Sequence, residues 1–149
     1  MFTQLVEFIR NQYQTNDFIP LHAPVFHGRE EEYVLDTIRS TFVSSVGAYV
    51  DRFENDIANY TGADKAVAVM NGTAALHMAL LLAGVQQGDL VITQSLTFVA
   101  TCNAIKYCGA DPVFLDVDLD TMGLSPNATE AWLNEHAQLD AQGICRLKS

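Results

Sequence analysis

Basic side chains are scarce in this sequence. Eight Lys and Arg face eighteen Asp and Glu, and the formal net charge is −10. The few cations are scattered, with no basic stripe. That argues against a nucleic-acid backbone as partner, because neutralising phosphates takes clustered Lys and Arg. Cysteine is also sparse. Cys102, Cys108 and Cys145 make an odd count without metal-like spacing, which reads as reduced thiols in a cytoplasmic protein. His22, His27, His77 and His136 share no paired spacing with each other or with cysteine, so no metal site is expected. Long apolar runs are missing. Met78–Val85 is too short to cross a bilayer, and the N-terminus carries early charge and no apolar segment of the secretory kind. The pattern Gly-x-Gly-x-x-Gly follows none of the candidate strands, which speaks against a dinucleotide-binding domain. Internal repeats and low-complexity tracts are absent as well.

What remains is enough for a folded domain. Hydrophobic residues make up 49% of 149 residues, and mean hydropathy is +0.10. A chain of this length and composition can bury a core. Apolar spacing predicts an amphipathic helix over Thr3–Tyr13, through Leu5, Val6, Ile9 and Tyr13. Pro20 and Pro24 then impose an extended link. A second helix is expected over Arg29–Thr41, opened by Glu30, Glu31 and Glu32, which suit the positive end of a helix dipole. A third runs over Val50–Tyr60 toward Gly62, a C-cap candidate. From there strands and helices alternate: Lys65–Met70, Thr73–Ala83, Leu90–Thr93, Phe98–Tyr107, Pro112–Val117 and Asn127–His136. Such alternation implies an α/β domain with a mainly parallel sheet and flanking helices.

The turn Met70-Asn71-Gly72-Thr73-Ala74-Ala75-Leu76 is the most informative stretch. A strand is expected to feed a Gly-Thr turn that opens a helix. Free N–H groups and the helix dipole converge there, which makes a phosphate site. Gly72 has no Cβ to bar an anion from the backbone, and the Thr73 hydroxyl adds a donor. The same residues also read as an ordinary turn with an N-cap. Asp116, Asp118 and Asp120 invite a calcium reading. It fails on register, because Thr121 stands where the loop needs glycine and Asn127 where it needs a bidentate glutamate.

Taken together, Asn71-Gly72-Thr73-Ala74-Ala75-Leu76, Thr97-Phe98-Val99-Ala100-Thr101-Cys102-Asn103-Ala104-Ile105 and Val113-Phe114-Leu115-Asp116-Val117-Asp118 resemble the DegT/DnrJ/StrS family of sugar aminotransferases. These enzymes use pyridoxal 5'-phosphate (PLP). Thr41–Gly47 followed by Phe53-Glu54 fits the same family, and the resemblance covers about residues 18–132. The tone of Phe42–Gly47 is most similar to enzymes that aminate UDP-4-keto-6-deoxy-N-acetylglucosamine on routes to legionaminic acid or bacillosamine.

The resemblance implies the N-terminal part of a fold-type I PLP-transferase large domain. Residues 1–28 would form an N-terminal helix and extended link, and 29–149 an incomplete PLP-binding large domain. Gly72, Thr73 and Ala74 match the cofactor-phosphate cup, and Phe98 the aromatic that stacks on the cofactor ring. Ser44, Ser45 and Gly47 would border the sugar-nucleotide pocket. The implied reaction is transamination of a nucleotide-linked keto sugar, with glutamate as amino donor, in a homodimer. No catalytic residue is assigned. Of Lys65, Lys106 and Lys148, none fits the family's Schiff-base position, which lies beyond Ser149 together with the pyridine carboxylate. The β/α series stops unfinished, so the chain is expected to be part of a longer enzyme, or a truncated product that is inactive by itself. A PLP-dependent sugar dehydratase of the same family and a non-catalytic sheet domain remain alternatives.

Overall fold

The computed structural model describes residues 2–148. The chain divides into two compact units, Met1–Tyr60 and Thr61–Ser149.

The first unit holds three helices. Helix α1 spans Thr3–Tyr13, the range its apolar spacing predicts, and ends on Gln14 in the left-handed region. Helix α2 spans Glu30–Ser40, with Glu30, Glu31 and Glu32 in its first turn, and ends on a left-handed Thr41. Helix α3 spans Ala48–Thr61. It begins earlier than the apolar pattern suggested because the Gly47 carbonyl already accepts the N–H groups of Val50 and Asp51. Gly62 follows at φ +71°, a conformation that favours glycine and ends the helix. Aromatic and polar contacts join α2 to α3. The Tyr33 and Tyr49 rings lie 5.2 Å apart, and the Tyr49 hydroxyl donates to the Asp36 carboxylate at 2.9 Å. The guanidinium groups of Arg29 and Arg52 lie 5.0 and 5.6 Å from the Tyr33 ring centre. Arg29 also donates to Glu32 at 2.6 Å. That bond raises the Arg29 pKa and lowers that of Glu32.

The second unit is the α/β part. Helix α4 (Gly72–Leu82) leads to strand β1 (Leu90–Gln94), helix α5 (Val99–Tyr107) and strand β2 (Asp111–Leu115). Strands β1 and β2 are parallel, in register from Leu90 opposite Asp111 to Gln94 opposite Leu115. Parallel neighbours need a crossover, and α5 supplies it. Helix α4 lies against α5, with the His77 and Tyr107 rings edge to face at 5.6 Å. The best-buried residues sit in and around this crossover: Ala104, Ile105, Ala110 and the strand residue Thr93. Helix α6 (Pro126–His136) starts on a Ser125 cap whose hydroxyl accepts the Ala128 N–H at 3.2 Å.

Two features depart from the sequence reading. The segment Lys65–Met70 belongs to neither sheet. Its Ala-Val alternation has strand propensity, but a strand is completed by a ladder, and β1 and β2 pair with each other. A hairpin was also missed: β3 (Ala137–Leu139) pairs antiparallel with β4 (Cys145–Leu147). Strand β3 begins at the last turn of α6, so no polar break announces it. The turn is built by Asp140, whose carboxylate accepts the N–H groups of Gln142 and Ile144 at 2.9 Å each. Gly143 closes it at φ +78°.

Candidate functional site

The start of α4 is assembled by its own cap. Asn71 is fully extended, at φ −166° and ψ 170°, and its side chain accepts the Ala74 N–H at 2.9 Å. The Asn71 carbonyl accepts the Ala75 N–H at 3.1 Å. The first four N–H groups of a helix have no acceptor within the turn. The Ala74 N–H is taken by the Asn71 side chain, and the N–H groups of Gly72 and Thr73 are left without an intrahelical acceptor at the positive end of α4. Of the three expected cup residues, Gly72 and Thr73 therefore offer backbone donors, while the Ala74 donor serves the cap. A Cβ built on Gly72 meets no heavy atom within 4 Å, so packing places no demand for glycine there.

Phe98 sits one residue ahead of α5, in extended conformation at φ −64° and ψ 143°. It is 85% exposed, so its ring faces are free. The loop beneath it is braced. The Gln94 side-chain amide donates to the Leu96 carbonyl at 2.6 Å and to the Met122 carbonyl at 3.3 Å. The Thr97 and Thr101 hydroxyls bond each other at 3.0 Å across the first turn of α5. The helices that begin at the expected cup and just after Phe98 pack together, as the His77–Tyr107 contact records.

Ser44, Ser45 and Gly47 belong to the first unit. Ser44 and Gly47 line a cleft of about 440 Å³ together with Phe42, Val46 and two residues the sequence did not single out, Asp36 and Tyr49. Ser45 is not among its lining residues. No sequence signal marks Asp36 or Tyr49, because thirteen residues separate partners that only the α2–α3 packing joins. The bond to Asp36 pushes the Tyr49 pKa up, so the phenol keeps its proton.

The remaining candidates are engaged locally. Lys106 pairs with Asp111 at 2.6 Å, and Lys148 donates to the carbonyls of Asn134 and Glu135 at the end of α6. The Asp118 carboxylate accepts the Thr121 hydroxyl at 2.8 Å within its own turn, and Asp116 accepts the Val117 N–H at 2.8 Å. Cys102, Cys108 and Cys145 are free thiols. Among the described residues, no helix is long and apolar enough to cross a membrane.

Residues 25–141 match the DegT/DnrJ/EryC1/StrS aminotransferase family, and the chain belongs to that family. It is 45% identical over 113 residues to GDP-perosamine synthase of Escherichia coli O157:H7, covering 76% of this chain and 31% of that protein. It is 45% identical over 117 residues to EpsN of Bacillus subtilis, named as a pyridoxal phosphate-dependent aminotransferase, covering 78% and 30%. An aminotransferase from Psychrobacter cryohalolentis matches in structure with a TM-score of 0.68 and 34% identity, covering 77% of this chain and 29% of that one. The chain thus spans about a third of the length of the curated relatives it matches.

Proposed function

We propose that this chain supplies the cofactor-phosphate cup of a PLP-dependent aminotransferase that acts on a nucleotide-linked keto sugar with glutamate as amino donor. Residues 29–149 would contribute to its large domain. The observation that carries the reading is the Asn71-capped start of α4, with the Gly72 and Thr73 donors left open. Membership in a family of aminotransferases supports it, as does a relative named for a GDP-linked sugar. The residues fit the phosphate group of PLP. Two backbone N–H groups, a threonine hydroxyl and a helix dipole together complement a dianion, and glycine leaves the approach open.

When bound, the cofactor supplies a ring that takes up electrons from the carbon bearing the nitrogen. The chain's own residues bind and orient. Gly72 and Thr73 would hold the phosphate by their N–H groups, with the Thr73 hydroxyl as a third donor. Asn71 holds the first turn in shape by occupying Ala74. Phe98 offers an exposed aromatic face on a braced loop. Among Lys65, Lys106 and Lys148 no catalytic residue is assigned, and the isolated chain would cradle the cofactor without turning substrate over. The reading includes a homodimer, to be checked by light scattering, and a cytoplasmic location, for which three unpaired thiols speak.

The test is a titration with pyridoxamine 5'-phosphate, which lacks the aldehyde that reacts with surface lysines, followed by the phosphorus resonance. The wild-type chain should bind, and Gly72→Ala should weaken binding at least tenfold while keeping the helical circular-dichroism signal. Absent binding by the wild type, or equal binding by both, sinks the proposal.

A further inference from the structure

Asn71 carries a second chemistry besides capping. It is followed by glycine, whereas every other asparagine of the chain is followed by a residue with a side chain. We propose that the Asn71-Gly72 bond is a covalent modification site, where the asparagine deamidates through a cyclic imide at a rate set by opening of the α4 cap.

The step is redox-neutral, and water is its sole co-reactant. Hydroxide takes the proton of the Gly72 N–H, and that nitrogen bonds to the side-chain carbonyl carbon of Asn71. The bond from this carbon to Nδ2 breaks, and the leaving nitrogen takes a proton from water and departs as ammonia. Water then adds to one of the two imide carbonyls. Opening at the side-chain carbonyl gives aspartate. Opening at the main-chain carbonyl gives isoaspartate, in which the chain runs through the former side chain. The sum is one water in and one ammonia out.

Three observations favour the reaction here. Gly72 has no Cβ to obstruct the attacking nitrogen, and the space where a Cβ would stand holds no heavy atom within 4 Å. Asn71 and Gly72 are both exposed, which admits hydroxide and water. The Gly72 N–H lacks an intrahelical acceptor, so no bond of the helix must break before it gives up its proton. One observation restrains the reaction. At ψ 170° the Asn71 side chain and the Gly72 nitrogen are staggered about the Cα–C bond, and the side-chain oxygen is tied to the Ala74 N–H at 2.9 Å. A five-membered ring closes only near the eclipsed arrangement. The native cap is therefore a brake, and the reaction runs through molecules whose first turn has frayed. Asn103 is the internal comparison, because it lies inside α5 and its neighbour Ala104 is fully buried.

Both products place a new carboxylate at the positive end of α4, and the imide between them has no Gly72 N–H. On the cofactor reading above, a phosphate held there would occupy that donor and slow the reaction.

The full chain is held in warm, mildly alkaline buffer, with and without guanidinium chloride. The tryptic peptide 66–106 carries both Asn71 and Asn103 and is followed by fragment mass spectrometry. In native buffer, the amide-to-acid mass gain should arise at Asn71 at least tenfold faster than at Asn103, with isoaspartate among the products. Denaturant, which opens the cap, should speed it at least threefold. Gly72→Ala should slow it at least tenfold in both buffers, a comparison that holds whether or not the variant folds. Equal rates at the two asparagines, an unchanged rate in denaturant, or an unchanged rate in Gly72→Ala overturns the proposal. Pyridoxamine 5'-phosphate should slow the native reaction at least threefold. If it does not, while Asn71 still outpaces Asn103, the modification stands and the cofactor reading loses Gly72 as a phosphate donor.

Discussion

The side-chain oxygen of Asn71 takes the backbone N–H of Ala74 at 2.9 Å, so the donor set at the head of α4 is decided by a residue just outside the helix. The cap takes one of the N–H groups that a helix start leaves without an acceptor. It also stabilises the helix directly.

Asn71→Ala should therefore lower stability by about 1 kcal/mol, the usual worth of such a cap. Asn71→Asp, which keeps the acceptor, should stay close to wild type. Urea denaturation of the three proteins checks both, and equal midpoints for Asn71→Ala and wild type would refute the capping argument.

A substitution at Phe98 tests the proposed cofactor stacking apart from folding. Its 85% exposure means that Phe98→Ala removes little packing and should change stability by less than about 0.5 kcal/mol. If the ring stacks on the cofactor, affinity for pyridoxamine 5'-phosphate should drop by about 1 kcal/mol, or roughly fivefold. Thermal melting and the phosphorus titration together measure the two effects. A large loss of stability with unchanged affinity would make Phe98 a packing residue.

Ile105 is the opposite case. It is 2% exposed in the β1–α5–β2 crossover, so Ile105→Ala leaves a cavity and should cost about 3 kcal/mol. So few side chains are equally buried that this substitution should remove most of the cooperative transition in urea. A shift as small as that of a surface substitution would mean the crossover is not the folding core.

The hairpin turn carries a pH signature. The Ile144 N–H above all, then the Arg146 side chain and the Gln142 N–H, hold the Asp140 pKa below its ordinary value. A depressed carboxylate contributes stability that is fully present above its unfolded pKa, about 3.9, and lost as pH falls through the lower folded value. The side-chain carbon resonance of Asp140 should therefore titrate with a midpoint below about 3.9. Asp140→Asn should flatten the dependence of hairpin protection on acidity in that window. A midpoint at or above the ordinary value contradicts the turn geometry.

Local signals in the chain were enough for much of this. Helix α1 runs over the range its apolar spacing indicates. The acidic start of α2 and the glycine after α3 mark real ends. The Asn-Gly-Thr turn does open a helix. These features depend on neighbours within about one turn, and the residues that decide them are adjacent in sequence. The order of the family's spaced motifs is equally local to read, and membership in the DegT/DnrJ/EryC1/StrS family follows from it.

Other features depend on partners that sequence does not place side by side. Lys65–Met70 has the composition of a strand, yet pairing is a property of two segments, and β1 pairs with β2. The β3–β4 hairpin hides behind α6 because its register is set by the turn that Asp140 ties. Asp36 and Tyr49 carry no motif, and their bond joins α2 to α3 across thirteen residues of sequence. Even among the expected cup residues, the sequence named Gly72, Thr73 and Ala74 as equals. The structure gave the Ala74 donor to Asn71 and left the other two without an intrahelical acceptor. Composition and spacing determine which elements form and what chemistry they can offer; tertiary packing decides which donors and acceptors remain free, because a hydrogen-bonding group already satisfied inside the protein is no longer available to a ligand.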